Sequence, residues 1–118
     1  MKVLIIEQEK TFKQSLSFFM QGQKNAEVFL AGSKKEGLAF LQMSPFDLVL
    51  CGDQLPDGNG LQILKELVQQ NPKLISILMT ARSNPSLKQE ALSAGIRGYL
   101  EKPFDLRQLE EVMGVTHP

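Results

Sequence analysis

Four short stretches carry the residues whose types could do chemistry: Glu7, Gln8 and Glu9; Gly52 to Gly60; Thr80-Ala81; and Lys102-Pro103. Together they offer carboxylates, an amide, a hydroxyl and an ammonium, groups suited to cations and anionic oxygens. Several familiar chemistries are excluded at once. A dinucleotide fingerprint needs glycines directly after the first strand, where backbone must approach pyrophosphate. Here that turn reads "EQEK", which repels phosphate, and a Walker loop fails for the same reason. A flavin-phosphate loop wants small hydroxyl residues there; only Thr11 is near, inside a predicted helix. "DQLPDGNG" does not alternate its oxygens as an EF-hand does. Gly58 and Gly60 read as turn glycines, and Asp57 reads as a solvated loop acid. Cys51 is a lone cysteine, read as a small buried strand residue rather than a redox or metal site. His117, near the terminus, is not expected to be catalytic.

The elements that position these loops alternate. "KVLII" (Lys2 to Ile6), "AEVFLA" (Ala26 to Ala31), "FDLVLC" (Phe46 to Cys51), "LISILMT" (Leu74 to Thr80) and "GYLE" (Gly98 to Glu101) are apolar runs that predict buried strands. Between them lie helical stripes. Phe12, Leu16, Phe19 and Met20 face one way. Ser33 and Glu36 predict a capping box before Leu38 and Leu41. Leu61, Leu64, Leu67 and Val68 mark a third helix, which stops near Asn71-Pro72. Pro85 opens a fourth, carrying Leu87, Ala91 and Ala94 and ending at Gly95. Asp105 caps a fifth with Leu106, Leu109, Val112 and Met113. Five strand–helix units predict a doubly wound parallel sheet with helices on both faces. In such a sheet the crevice lies at the carboxyl ends of the strands, where all four stretches sit.

Length and composition bound the rest. The chain has 118 residues, enough for a single domain (1–118). It is 42% hydrophobic and 22% charged with a net charge of +0, so no global charge argues for nucleic acid or an anionic membrane. No apolar run approaches a membrane span, and "MKVLIIEQEK" lacks the features of a signal peptide. A cytoplasmic setting is the expectation.

In order and spacing, the sequence resembles a receiver domain of the two-component response-regulator family, CheY-like, over essentially its whole length. "LPDGNG" (Leu55 to Gly60) resembles the turn after strand three, "MTA" (Met79 to Ala81) the end of strand four, and "SAGIRGYLEKPF" (Ser93 to Phe104) the close. The resemblance implies a flavodoxin-like sheet in the order 2-1-3-4-5 flanked by five helices. It also implies phosphoryl transfer from a partner histidine to an aspartate, with an acid pair holding Mg²⁺. By this resemblance Thr80 matches the hydroxyl position, Lys102 the lysine and Tyr99 the aromatic switch position.

Two positions depart. The family's acceptor stands four residues before the proline and eight before the glycine of the turn; counting back from Pro56 and Gly60 gives Gly52 both times. Asp53 sits one place late. Glu7 matches the first acid of the pair, but Gln8 stands where the second belongs. Gly52 is expected at the end of strand three, facing Thr80 and Lys102, with Lys102 free to pair with Glu7 or Asp53. Because strand residues alternate, Asp53 is expected to point away from the Lys102 side unless the chain leaves the strand there.

Three functions follow. The first is a pseudo-receiver, not an enzyme, needing no cofactor and acting through a protein partner rather than nucleic acid or membrane. The second is a working receiver with Asp53 as acceptor, Glu7 and Asp53 then holding Mg²⁺. The third is a small-molecule binder on the same fold. The resemblance places partner contacts, or a homodimer, on the face of helix four, strand five and helix five, with Leu87, Lys88, Tyr99, Glu101, Arg107 and Glu111. Partner, pathway and output are not written in the sequence, nor is whether the chain is a whole protein or an excised domain.

Overall fold

The computed structural model describes residues 1–23 and 25–114. His117 lies outside them. The elements run β1 (Lys2–Ile6), α1 (Lys10–Gln21), β2 (Glu27–Ala31), α2 (Lys34–Met43), β3 (Leu48–Gly52), β4 (Gln54–Leu55), β5 (Gly58–Asn59), α3 (Gly60–Gln70), β6 (Ile75–Thr80), α4 (Pro85–Ser93), β7 (Gly98–Glu101) and α5 (Leu106–Met113). Five strands form one parallel sheet in the order β2-β1-β3-β6-β7. That is the expected 2-1-3-4-5 order once the small antiparallel pair β4–β5 is set aside. This pair, inside the crevice loop, has only two residues per strand and leaves no periodic trace in the sequence.

Strand alternation divides the core in two. Val3, Ile5, Leu48, Leu50, Ile77, Met79 and Leu100 face α1 and α5, meeting Leu16, Met20, Leu109 and Met113. Leu4, Ile6, Val49, Cys51 and Leu78 face the other way, meeting Leu61 and Leu64 of α3 and Ala91 of α4, with Leu38 and Leu41 of α2 alongside. Both faces of the sheet are therefore covered, which is why its strands read as continuous apolar runs rather than alternating ones.

The caps fix where each helix starts, and so where each loop stands. Asn84 accepts from Leu87 N and Pro85 occupies the first turn of α4. Gly95, at φ +87°, takes the left-handed conformation that ends that helix. Asp105 and Gln108 form a full capping box on α5. At α2 only half the expected box forms. Ser33 accepts from Glu36 N, while the Glu36 carboxylate turns to Gly32 N at 3.3 Å.

Candidate functional site

The carboxyl ends of β1, β3, β6 and β7 frame a small crevice of about 80 Å³. Glu7, Gln8, Glu9, Asp53, Gln54, Met79, Thr80, Ala81, Arg82 and Lys102 line it. Backbone bonds extend the sheet by one residue at each strand end and so fix these positions. Glu7 N donates to Ala31 O (2.9 Å), Asp53 N to Met79 O (2.8 Å) and Lys102 N to Thr80 O (2.8 Å). The Lys102-Pro103 bond is cis.

Glu7 is the buried acid of the site, only 1% exposed. Burying a carboxylate requires that its charge and lone pairs be satisfied, and both oxygens are. Oε1 accepts from Lys102 Nζ at 2.8 Å, and Oε2 accepts from Glu9 N at 2.9 Å. Of the two partners expected for Lys102, the structure selects Glu7. The lysine is itself mostly buried, its side chain 14% exposed. Its ammonium stands 4.4 Å from the Phe12 ring centroid and 3.5 Å from Glu9 Oε1. Phe12 in turn meets Phe104 edge-on, with centroids 5.5 Å apart.

Gly52 is the last residue of β3 and is buried. A β-carbon built on it would stand 2.6 Å from Glu7 Oε1. What faces Gly52 at close range is thus Glu7, not Thr80 and Lys102 as expected. Continuing the alternation of each strand explains this: Glu7, Gly52 and Lys102 all fall on the α1/α5 side of the sheet. The carboxylate of Glu7 reaches into the space that a side chain at residue 52 would occupy.

For Asp53 the stated exception applies. Alternation would turn it away from the Lys102 side, but β3 ends at Gly52 and Asp53 lies in a bend. Gly60 N closes that bend onto Asp53 O at 2.9 Å. The carboxylate therefore turns into the same crevice, half-buried, and Oδ2 accepts from Thr80 Oγ1 at 3.3 Å. Thr80 Oγ1 also accepts from Arg82 N at 2.9 Å. The crevice thus holds two acid–partner pairs side by side, Glu7 with Lys102 and Asp53 with Thr80.

Gln8 lines the crevice with an exposed side chain. The fit of Mg²⁺ to these residues is poor. Such an ion asks for hard oxygens in near-octahedral array. Gly52 offers none, Gln8 offers a neutral amide, and the Glu7 oxygens are engaged. Among the described residues, no three His, Cys, Asp or Glu side chains are gathered closely enough to hold a metal ion.

Asp57 is more than a solvated acid. Its side chain is exposed, yet it accepts from Lys34 N (2.7 Å) and Lys35 N (2.9 Å) at the start of α2. Those two N–H bonds hold its carboxyl below the usual range. This contact, 22 and 23 residues away in sequence, had no local signal. It clips the crevice loop to α2. Cys51 is buried, and burial, then Glu7 and Asp53, push its thiol up.

On the face of α4, β7 and α5, Lys88, Glu101, Arg107 and Glu111 are exposed and Leu87 is half-buried. Tyr99 is half-buried too. It packs against the α2/α3/α4 core, and its hydroxyl lies 2.6 Å from Ser83 Oγ, which donates to Glu101 Oε1 at 2.9 Å.

Comparison with known proteins agrees with this fold. The chain is 32% identical over 115 residues to the response regulator protein PilR of Pseudomonas aeruginosa, covering 98% of this chain and 26% of PilR. It is 34% identical over 114 residues to the KDP operon transcriptional regulatory protein KdpE of Escherichia coli, covering 97% of this chain and 50% of KdpE. The chain thus spans a quarter to a half of the curated relatives it matches. Among solved structures, a CheY-like receiver domain protein from Methanospirillum hungatei superposes with a TM-score of 0.86 at 26% identity, covering 96% of this chain and 90% of that one. No helix among the described residues is long and apolar enough to cross a membrane. With the response regulator receiver domain matched over residues 3–113, the sheet order and the crevice share one explanation: the chain belongs to the receiver domain family of two-component response regulators.

Proposed function

We propose that this receiver domain signals without accepting a phosphoryl group, holding one conformation and acting through contacts with a protein partner. One observation carries the reading. The slot at residue 52 has no side chain, and the Glu7 carboxylate stands where one would be, already paired with Lys102. A crevice whose lysine is engaged internally has little left to clamp an incoming phosphoryl group. The direct test is mass spectrometry of the protein after treatment with a small phosphodonor in Mg²⁺, with no aspartyl adduct expected.

A second reading has one observation in its favour. Asp53 does turn into the crevice and bonds Thr80. A base-labile phosphoryl adduct mapped to Asp53 would establish it. The small-molecule reading is disfavoured by size, since a crevice of about 80 Å³ is well below the several hundred Å³ of ordinary ligand pockets.

The partner surface in this reading is the α4–β7–α5 face, which a second copy could also use. Exposed Lys88, Glu101, Arg107 and Glu111 give it both charges, suited to a specific, modest interface. Reversing charge at Lys88 and Arg107 together should weaken partner binding and leave Tm nearly unchanged. Full-affinity binding by that variant would rule this face out.

A further inference from the structure

We infer that the Lys102 ammonium is the resident cation of the crevice, gathered by the carboxylates of Glu7 and Glu9 and the ring of Phe12, and that it takes the place of a divalent ion. The inference deepens the reading above and rests on it for the identity of the crevice.

The lysine is held from three sides. Its backbone N–H bonds Thr80 O at 2.8 Å, which fixes where the side chain starts. The ammonium lies over Phe12 at 4.4 Å, a cation–π geometry, and Phe12 is itself braced by Phe104. Glu7 supplies a buried carboxylate oxygen at 2.8 Å, and Glu9 a weaker, exposed one at 3.5 Å. The residue types are mutually consistent. Glutamate, one methylene longer than aspartate, carries its oxygen into the space left by Gly52. An aspartate at residue 52 would contend for that space.

A divalent ion would have to share Glu7 with this ammonium. Two positive charges a few ångströms apart in a partly buried site repel each other, and a doubly charged ion meets about twice the repulsion of a singly charged one. Glu7 Oε2 accepts from Glu9 N and belongs to the same carboxylate whose charge the ammonium already balances. The internal ammonium therefore neutralises the buried carboxylate, and the fold gains nothing from Mg²⁺.

The test compares MgCl₂ with NaCl at matched ionic strength on the full chain. It reads Tm and the amide NMR shifts of Gln8, Gly52 and Asp53. In the parent, Tm should follow the NaCl control and no crevice amide should move saturably. Lys102→Met keeps an apolar stem on Phe12 but strips the charge from beside Glu7. That variant should melt lower, and Mg²⁺ should now raise its Tm saturably. Saturable Mg²⁺ shifts in the parent overturn the inference, as does a folded Lys102→Met protein indifferent to Mg²⁺. If Lys102→Met does not fold, the parent titration alone decides. The outcome is separable from the reading above: parent protein that binds Mg²⁺ but forms no phosphoryl adduct sinks this inference and leaves that reading standing.

Discussion

Glu7 and Gly52 are complementary: a β-carbon at residue 52 would stand 2.6 Å from Glu7 Oε1, closer than real contacts allow. The glycine makes room for the longer acid, and the acid fills what the glycine leaves. Gly52→Ala should therefore displace the Glu7 carboxylate from Lys102 and cost about 1–3 kcal/mol in urea unfolding. Adding Glu7→Asp withdraws the oxygen and should recover part of the loss, so the two changes will not sum. Strict additivity would mean that the two side chains do not compete for this space.

In the proposed reading, the same competition governs attempts to confer phosphoryl acceptance on residue 52. Gly52→Asp with Gln8→Asp supplies two carboxylates but leaves the Glu7 carboxylate in the space that a side chain at residue 52 needs. The triple variant Gly52→Asp, Gln8→Asp, Glu7→Asp clears it. We expect the triple variant to form an adduct with a small phosphodonor in Mg²⁺ at least tenfold faster than the double one, roughly the effect of 1.4 kcal/mol on a barrier. Mass spectrometry over a time course reads the difference. Equal rates would show that Glu7 yields freely.

The fold was legible because burial on both faces of a parallel sheet writes itself as apolar runs, and because Ser33, Pro85 and Asp105 mark helix starts. The place of Gly52 at the end of strand three was legible by counting from Pro56 and Gly60. The direction of Asp53 was not, because alternation holds only while the strand lasts and β3 stops one residue earlier. The Lys102–Glu7 pair, 95 residues apart, was one of two pairings left open, and the structure selects it; the contact of Asp57 with α2 was not legible, because it depends on how distant loops meet. The partner of the Tyr99 hydroxyl, Ser83, was unmarked for a related reason: it sits in the loop before α4, away from β7 in sequence.

Cys51 should be inert. Burial and the nearby charges of Glu7 and Asp53 all favour its neutral thiol, so little thiolate exists at ordinary alkaline pH. Iodoacetamide at pH 8 should modify the native chain only as fast as it opens, and urea should accelerate labelling to the rate of a free thiol. Rapid labelling without denaturant would contradict the tight closure of β3 against α3.

Asp57 should confer a pH dependence of its own. Its folded carboxyl lies below the usual range because the carboxylate accepts from Lys35 N and Lys34 N. A depressed folded pKa means that the unfolded chain binds the proton more readily. The stabilisation is therefore complete above the unfolded value, near pH 4, and is lost as pH falls through the lower folded value. Asp57→Asn keeps an acceptor oxygen but removes the charge that faces the α2 N-terminus. At pH 7 the variant should melt below the parent, and the amides of Lys34 and Lys35 should exchange faster. The gap in Tm should narrow as pH falls below about 4, because the parent loses what the variant never had. A gap that stayed constant down to the lowest measurable pH would show that the clip acts through shape alone.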